Sequence, residues 1–369
     1  MGSLIVSYGG NTIHTSSADE TFTLQTSGKY ASDDITLTGT DVTSMTITYG
    51  GQTIDTGTGS FTHKLLTSGK LISGDIGVTA SFAPQAEYFI TFSSPSSFTI
   101  KPYRSKGWNG TLEYSTDKTT WATWTGANAI SSVNNVLYLR GIGNTVLTGS
   151  SGAMNTRLDY TGSNITCSGN IETLLDYQTV ANGQHPTMGN YAFYNGFGGA
   201  AISSVDQLIF PDISSTLPTY CFGYMFWGSS ITTSPVLPAK KLGMGSYCYM
   251  FSGCSALATA PELPATTVAD STYKGMFQYC TSLNTIPAVR ATQYKADTCT
   301  SMFEGCSNIK LSSTRTGAYQ NAYRIPPSGT GTANYNSFSN MFKSTGGTLT
   351  GTPTINTTYY TSNTVIPAT

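Results

Sequence analysis

The chain has 369 residues, with 18 Lys and Arg against 19 Asp and Glu, for a formal net charge of −1. Only 10% of it is charged, against ~25% in an average soluble domain, which excludes a polybasic nucleic-acid surface and an acidic disordered tail. With 23 Tyr, 16 Phe and 39 Gly, its surface polarity must come from hydroxyls, amides and backbone, and its length suggests more than one domain.

The N-terminus, Met1–Tyr8, has no basic region and no long apolar core, so no signal peptide is expected. No apolar run is long enough to span a membrane. Two copies of one pattern follow at an offset of 41 residues: Leu4–Ile13 (Leu-Ile-Val-Ser-Tyr-Gly-Gly-Asn-Thr-Ile) matches Met45–Ile54 (Met-Thr-Ile-Thr-Tyr-Gly-Gly-Gln-Thr-Ile). Thr26–Lys29 matches Thr67–Lys70, and Asp34-Ile35 matches Asp75-Ile76. Apolar and polar residues alternate between Gly-rich turns, which predicts short antiparallel strands. The expected modules are 1–41 and 42–84. Their Gly-Lys pairs lack Walker spacing and are not phosphate loops.

Residues 85–165 differ in texture. Tyr88–Phe92, Thr111–Ser115, Trp121–Trp124 and Val136–Leu139 are separated by turn-forming residues, a spacing that predicts a β-sandwich-like domain. Trp108, Trp121 and Trp124 read as core in preference to sugar-stacking residues.

A second repeat fills 166–369. Met-Phe recurs at Met225, Met250, Met276, Met302 and Met341, at gaps of 25, 26, 26 and 39. Three units align through Met250–Leu257, Met276–Leu283 and Met302–Ile309. Each places Met, Phe, a Cys (Cys254, Cys280, Cys306) and an aliphatic residue (Leu257, Leu283, Ile309) on one face of a short helical turn. A single unit cannot bury that face, so neighbours must stack into a leucine-rich-repeat-like solenoid with a structural ladder. No Cys-x-x-Cys or nearby His accompanies the cysteines, so neither metal nor cofactor is expected. The ladder cysteines read as reduced, packed thiols. The unit at Met225 carries Ser229 in place of the ladder cysteine. The last interval is stretched, as in a C-terminal cap or a binding loop.

Residues just after Met-Phe vary within this constant frame, which is where exposed faces should lie. Trp227, Tyr279, Tyr294 and Glu304 are the candidate ligand-binding residues. Of the three histidines, His14, His63 and His185, His185 is the candidate base for a nucleophile, Cys167. No nucleophile elbow or zinc-binding His pair is present. A glycosidase carboxylate pair stays open, because its members can lie far apart in the chain.

Tyr-x-x-Met-Phe-x-Gly-Cys-Ser-x-Leu followed by Pro-x-Leu-Pro-Ala resembles the BspA-like class of leucine-rich repeat, and Tyr191–Phe193 with Leu208–Pro211 is similar to a leading copy. The tandem Thr-Ser-Gly-Lys and Asp-Ile modules are similar to repeats in tail and fibre proteins of phages infecting gut bacteria. Together these resemblances imply a non-enzymatic virion attachment protein that recognises a host cell-surface glycan or protein. Its N-terminal modules would contact other virion proteins, and it would assemble as a homo-oligomer, a trimer in the fibre pattern. The alternatives are a capsid or head decoration protein and an extracellular bacterial adhesin. The expected class is mainly β.

Overall fold

The computed structural model describes residues 3–8, 11–16, 19–25, 35–49, 52–64, 75–82, 87–149, 157–291, 293–317, 321–322, 337–348 and 359–360. The chain divides into two compact units, Met1–Ala86 and Glu87–Thr369. It is mainly β, with one helix among the described residues.

In the first unit, alternation of Ile, Leu and Val with Thr builds six strands: β1 (Ser3–Tyr8), β2 (Asn11–Ser16), β3 (Glu20–Gln25), β4 (Ile35–Tyr49), β5 (Gln52–Lys64) and β6 (Asp75–Phe82). They form one sheet in the order β2-β1-β4-β6-β3, with β5 also on β4. Alternate residues Leu4, Val6, Ile35, Leu37, Ile47, Ile76 and Val78 are buried in a single aliphatic core.

The two sequence copies share this sheet, which corrects the expected division at 41/42. Strand β4 runs through that boundary; Ile35–Thr40 pairs with β1, while Val42–Tyr49 pairs with β6. Strands from both copies line one aliphatic core, so the two form a single sheet unit. Thr26–Lys29, Thr67–Lys70 and Asp34 lie outside the described residues.

The second unit opens with β7 (Ile90–Ser93), β8 (Thr99–Pro102), β9 (Thr111–Ser115), β10 (Ala122–Thr123), β11 (Ile130–Ser131), β12 (Val136–Ile142), β13 (Leu158–Thr161), β14 (Ile165–Asn170), α1 (Thr173–Ala181) and β15 (Ile202–Ile209). One sheet has the order β10-β9-β12-β7-β14-β15, and a second has β11-β8-β13. The boundary expected at residue 165 also falls inside a sheet. Strand β14 pairs antiparallel with β7 and parallel with β15, so the regions on either side share one core. Trp108 and Trp124 are buried in it with ring centroids 5.0 Å apart. Trp121 is half-buried beneath the Arg140 guanidinium at 3.9 Å.

From Tyr191 the backbone forms ribbons of consecutive turns at 191–199, 220–228, 245–253, 271–279, 297–305 and 337–344. Within a ribbon alternate N–H groups bond back three residues: Gly223 to the Tyr220 carbonyl, Met225 to Phe222 and Trp227 to Tyr224. The intervening ones donate to the next ribbon, Phe222 to Ser246, Tyr224 to Cys248, Phe226 to Met250 and Gly228 to Ser252, at 2.8–3.1 Å. These backbone donors are thus satisfied by two nested ladders. The same register continues through Phe251 to Met276, Phe277 to Met302 and Phe303 to Met341. Each ribbon is therefore a rung stacked on the next.

Side chains follow that register into columns. Phe226, Phe251, Phe277, Phe303 and Phe342 stack with centroids 5.4–5.6 Å apart and planes within 17° of parallel. Met225, Met250, Met276 and Met302 are fully buried, as are Leu257, Leu283 and Ile309. Cys254, Cys280 and Cys306 are buried free thiols that donate to the carbonyls of Phe226, Phe251 and Phe277, one rung back, at 3.0–3.1 Å. Ser229 holds the corresponding place in its rung, 3.3 Å from the Cys254 sulfur. In the stretched interval before Met341, residues 318–320 and 323–336 lie outside the described residues. Short strands β16 (Lys310–Ser312), β17 (Asn321–Ala322), β18 (Gly346–Gly347) and β19 (Tyr359–Tyr360) form the last sheet.

Candidate binding face

The turn ribbons place a left-handed residue at every fourth position. These are Tyr220, Tyr224 and Gly228 in one rung, then Gly245, Tyr249 and Gly253, then Ser271, Gly275 and Tyr279, then Asp297, Ser301 and Gly305. Left-handed backbone is costly for a bulky side chain, yet tyrosine holds several of these places. The reason lies one rung on. A Cβ added at Gly245 would run into the Tyr220 ring, one at Gly275 into Tyr249, and one at Gly305 into Tyr279. Tyr220, Tyr249 and Tyr279 thus each lie across the glycine that holds the same register position in the next rung. The side chain missing from one rung is the space filled by the ring of the last.

Elsewhere the matched position of the next rung holds a second tyrosine, and the rings stack into an aromatic tier. Tyr191 stacks on Tyr220 at 5.2 Å, nearly parallel, and Tyr224 stacks on Tyr249 at 4.8 Å. Tyr194 lies between them, 5.2 Å from Tyr224 and 5.6 Å from Tyr191. All five are half-buried. With Lys274 they line a hollow of about 480 Å³. Burial pushes the Tyr194 and Tyr224 phenols well above their ordinary range, and neighbouring Cys248 adds to the shift. Burial also pushes the Cys248 thiol up to about 12, with Lys274 acting against it. Lys274 is ion-paired to Asp297 at 3.2 Å. At neutral pH the hollow therefore offers flat rings, neutral hydroxyls and one compensated cation, a surface suited to stacking and hydrogen bonding.

The four residues singled out from the sequence fall in different places. Tyr279 is 53% exposed and continues the tier over Gly305. Trp227 is 42% exposed and walls a separate small pocket. Glu304 is half-buried, accepting from Gln278 at 2.9 Å and pairing with Lys343 at 3.2 Å. Burial acts to raise its carboxyl, but hydrogen bonds from Ser301, Gln278 and Lys343 outweigh this and hold it below the ordinary range. It is held within the stack as a bridge between rungs. Tyr294 is a correction. It is 3% exposed, with its ring edge-on to Phe338 at 4.8 Å, so it belongs to the core and not to a binding face. Its place outside the turn ribbon put it beyond reach of the variable-position argument. Tyr191, Tyr194, Tyr220, Tyr224 and Tyr249, which line the hollow, were not among the residues singled out from the sequence; Tyr or Gly recurring at matched positions of successive units was the available signal.

His185 does not meet Cys167. Its Nδ1 lies 2.8 Å from buried Glu172, while burial pushes the Cys167 thiol far above its ordinary range. Among the described residues no three His, Cys, Asp or Glu side chains gather as a metal site. No helix among them is long and apolar enough to cross a membrane. A further groove of about 790 Å³ runs along Pro261, Leu263, Pro264, Pro287 and Arg290. In comparisons with known proteins, the chain matches no protein-family model, no curated protein and no solved structure.

Proposed function

We propose that this chain is a non-enzymatic attachment protein of a phage particle, of tail-fibre or receptor-binding type, that recognises a glycan or protein on a bacterial cell surface. The observation that carries this reading is the tyrosine tier. Rings held half-exposed at costly left-handed positions, with neutral phenols and little free charge, suit recognition by stacking and hydrogen bonding. The in-register stacking of the rungs supports reading 166–369 as a solenoid of the BspA-like leucine-rich class, whose exposed ribbon positions can vary while the columns stay constant. In this reading the N-terminal unit faces other virion proteins, and the assembly is a homo-oligomer of the trimeric fibre kind.

The test is binding of the labelled full-length chain to a panel of gut-bacterial cells and to their isolated surface polysaccharides. Saturable binding is expected, with a loss of about tenfold or more on combining Tyr220→Ser with Tyr249→Ser, since base-type stacking contacts of aromatic side chains are worth about 1–3 kcal/mol each and 1.4 kcal/mol is tenfold. A chain that enters particles but binds no cell or polysaccharide would be a decoration protein. Release of reducing ends from the polysaccharide would make it an enzyme.

A further inference from the structure

A second concavity lies where the first rung meets β13. It encloses about 170 Å³ and is lined by Arg157, Asp159, Tyr160, Asn195, Gly198 and Trp227, among others. Asn195 is the anomaly in it. The residue is 1% exposed, and neither its Oδ1 nor its Nδ2 has a hydrogen-bond partner. A buried polar group left in that state is destabilising, and native structures hold few of them. The rung fixes where this amide sits. Asn195 donates its backbone N–H to the Gly223 carbonyl at 2.9 Å. Its φ of 55° is one that Asn tolerates better than most residues. Gly198 has no side chain to crowd it, since a Cβ there would lie 2.7 Å from the Asn195 Oδ1.

The other lining groups define the chemistry of an occupant. Trp227 supplies an exposed indole wall. Arg157 and Asp159 are paired at 3.0 Å, and the Arg157 guanidinium lies 4.1 Å from the Tyr103 ring centroid, so the charges are compensated and a neutral ligand is favoured. Tyr160 is committed to the Gly196 carbonyl at 3.0 Å. Among the described residues Asp159 is the only carboxylate lining the pocket, and glycoside hydrolysis needs two. The volume is below the ~300–1,000 Å³ of clefts that take drug-sized molecules, so the occupant is a single small group.

We propose that this pocket binds the acetamido group of an N-acetylhexosamine residue, as a subsite of the glycan recognition on which this inference rests. A carboxamide presents an acceptor and donors side by side, and an acetamido group offers the complementary donor and acceptor. Both orphan atoms of Asn195 are satisfied at once, while Trp227 covers the apolar face of the sugar.

Saturation-transfer NMR on the full-length chain with N-acetylglucosamine, N-acetylgalactosamine, glucose and galactose tests this. Saturation of the acetyl methyl is expected for at least one amino sugar, with a shift in Trp fluorescence and no comparable signal from glucose or galactose. Trp227→Ala, at an exposed position, and Asn195→Ala should each weaken binding about tenfold or more. Because Ala is strained at this left-handed φ and Gly is not, Asn195→Gly should lose the same affinity without lowering the melting temperature appreciably, a combination that a purely structural residue does not give. Equal binding of glucose, no saturation of either acetyl methyl, or unchanged affinity in Asn195→Ala would overturn the proposal; a pocket that holds only water gives the second result. If the chain binds cells but neither amino sugar, the pocket assignment fails and the attachment reading stands. If it binds an amino sugar but no cell, the pocket assignment stands and the attachment reading fails.

Discussion

The N-terminal sheet and the stacked rungs bury apolar side chains by different rules. In the sheet, alternation sends every second residue into a core of Leu, Val, Ile, Met and Ala, and among the residues whose side chains are described no aromatic is fully buried there. Any aliphatic side chain of suitable volume satisfies such a position. In the rungs side chains sit over their counterparts, so Phe meets Phe and the thiols of Cys254, Cys280 and Cys306 each meet a carbonyl one rung away. A rung position is therefore constrained by two neighbours of its own kind, and the rings of Tyr220, Tyr249 and Tyr279 each fill the place left by a glycine at the next level. The sheet tolerates local change; the stack transmits it.

The largest expected effect tests that transmission. Phe277→Ala opens a void between Phe251 and Phe303 and should cost about 3–5 kcal/mol, measured by urea denaturation. Hydrogen exchange should show both flanking rungs loosened. Phe22→Ala, at a half-buried position of the sheet, should cost about 1 kcal/mol and leave rung exchange unchanged. Loosening confined to one rung would remove the distinction between the two regions.

A double-mutant cycle on Gly275 and Tyr249 sharpens the same contrast. Gly275→Ala should destabilise by about 2 kcal/mol, part from its left-handed backbone and part from the clash with the Tyr249 ring. Adding Tyr249→Ala should recover the clash and leave the backbone part, for a coupling of about 1 kcal/mol. Strictly additive costs would mean that ring and glycine are not matched.

The smallest effect is one of pH. Burial raises the Glu172 carboxyl above its ordinary value, with the hydrogen bond from His185 opposing the shift. A group whose folded value is raised contributes stability that is complete below its unfolded value and is lost as pH rises through the folded one. Glu172→Gln should therefore flatten the fall in urea midpoint from acid to neutral pH. Parallel profiles for the two proteins would assign that dependence to other groups.

Much of the stack was legible in advance. The recurring Met-Phe, the cysteine four residues on and the aliphatic residue seven on place buried columns, because identical spacing in successive units leaves identical faces to cover. The sharing of a sheet by the two N-terminal copies was not legible. Repeats mark where a pattern recurs, and β4 is continuous through the point of recurrence. Nor was the burial of Tyr294, since a lone tyrosine carries no period.

The low charge read at the outset follows from the arrangement found. Like charges repeated at rung spacing would repel, whereas hydroxyls, thiols and aromatic rings can be stacked. Periodicity and composition are properties of neighbours along the chain, and these determined the β class, the repeat length and the buried columns. The tyrosine tier and the Asn195 pocket were decided only by tertiary structure. Each joins residues from separate rungs or strands, and the backbone angles and glycine gaps that bring them together depend on the rung on either side.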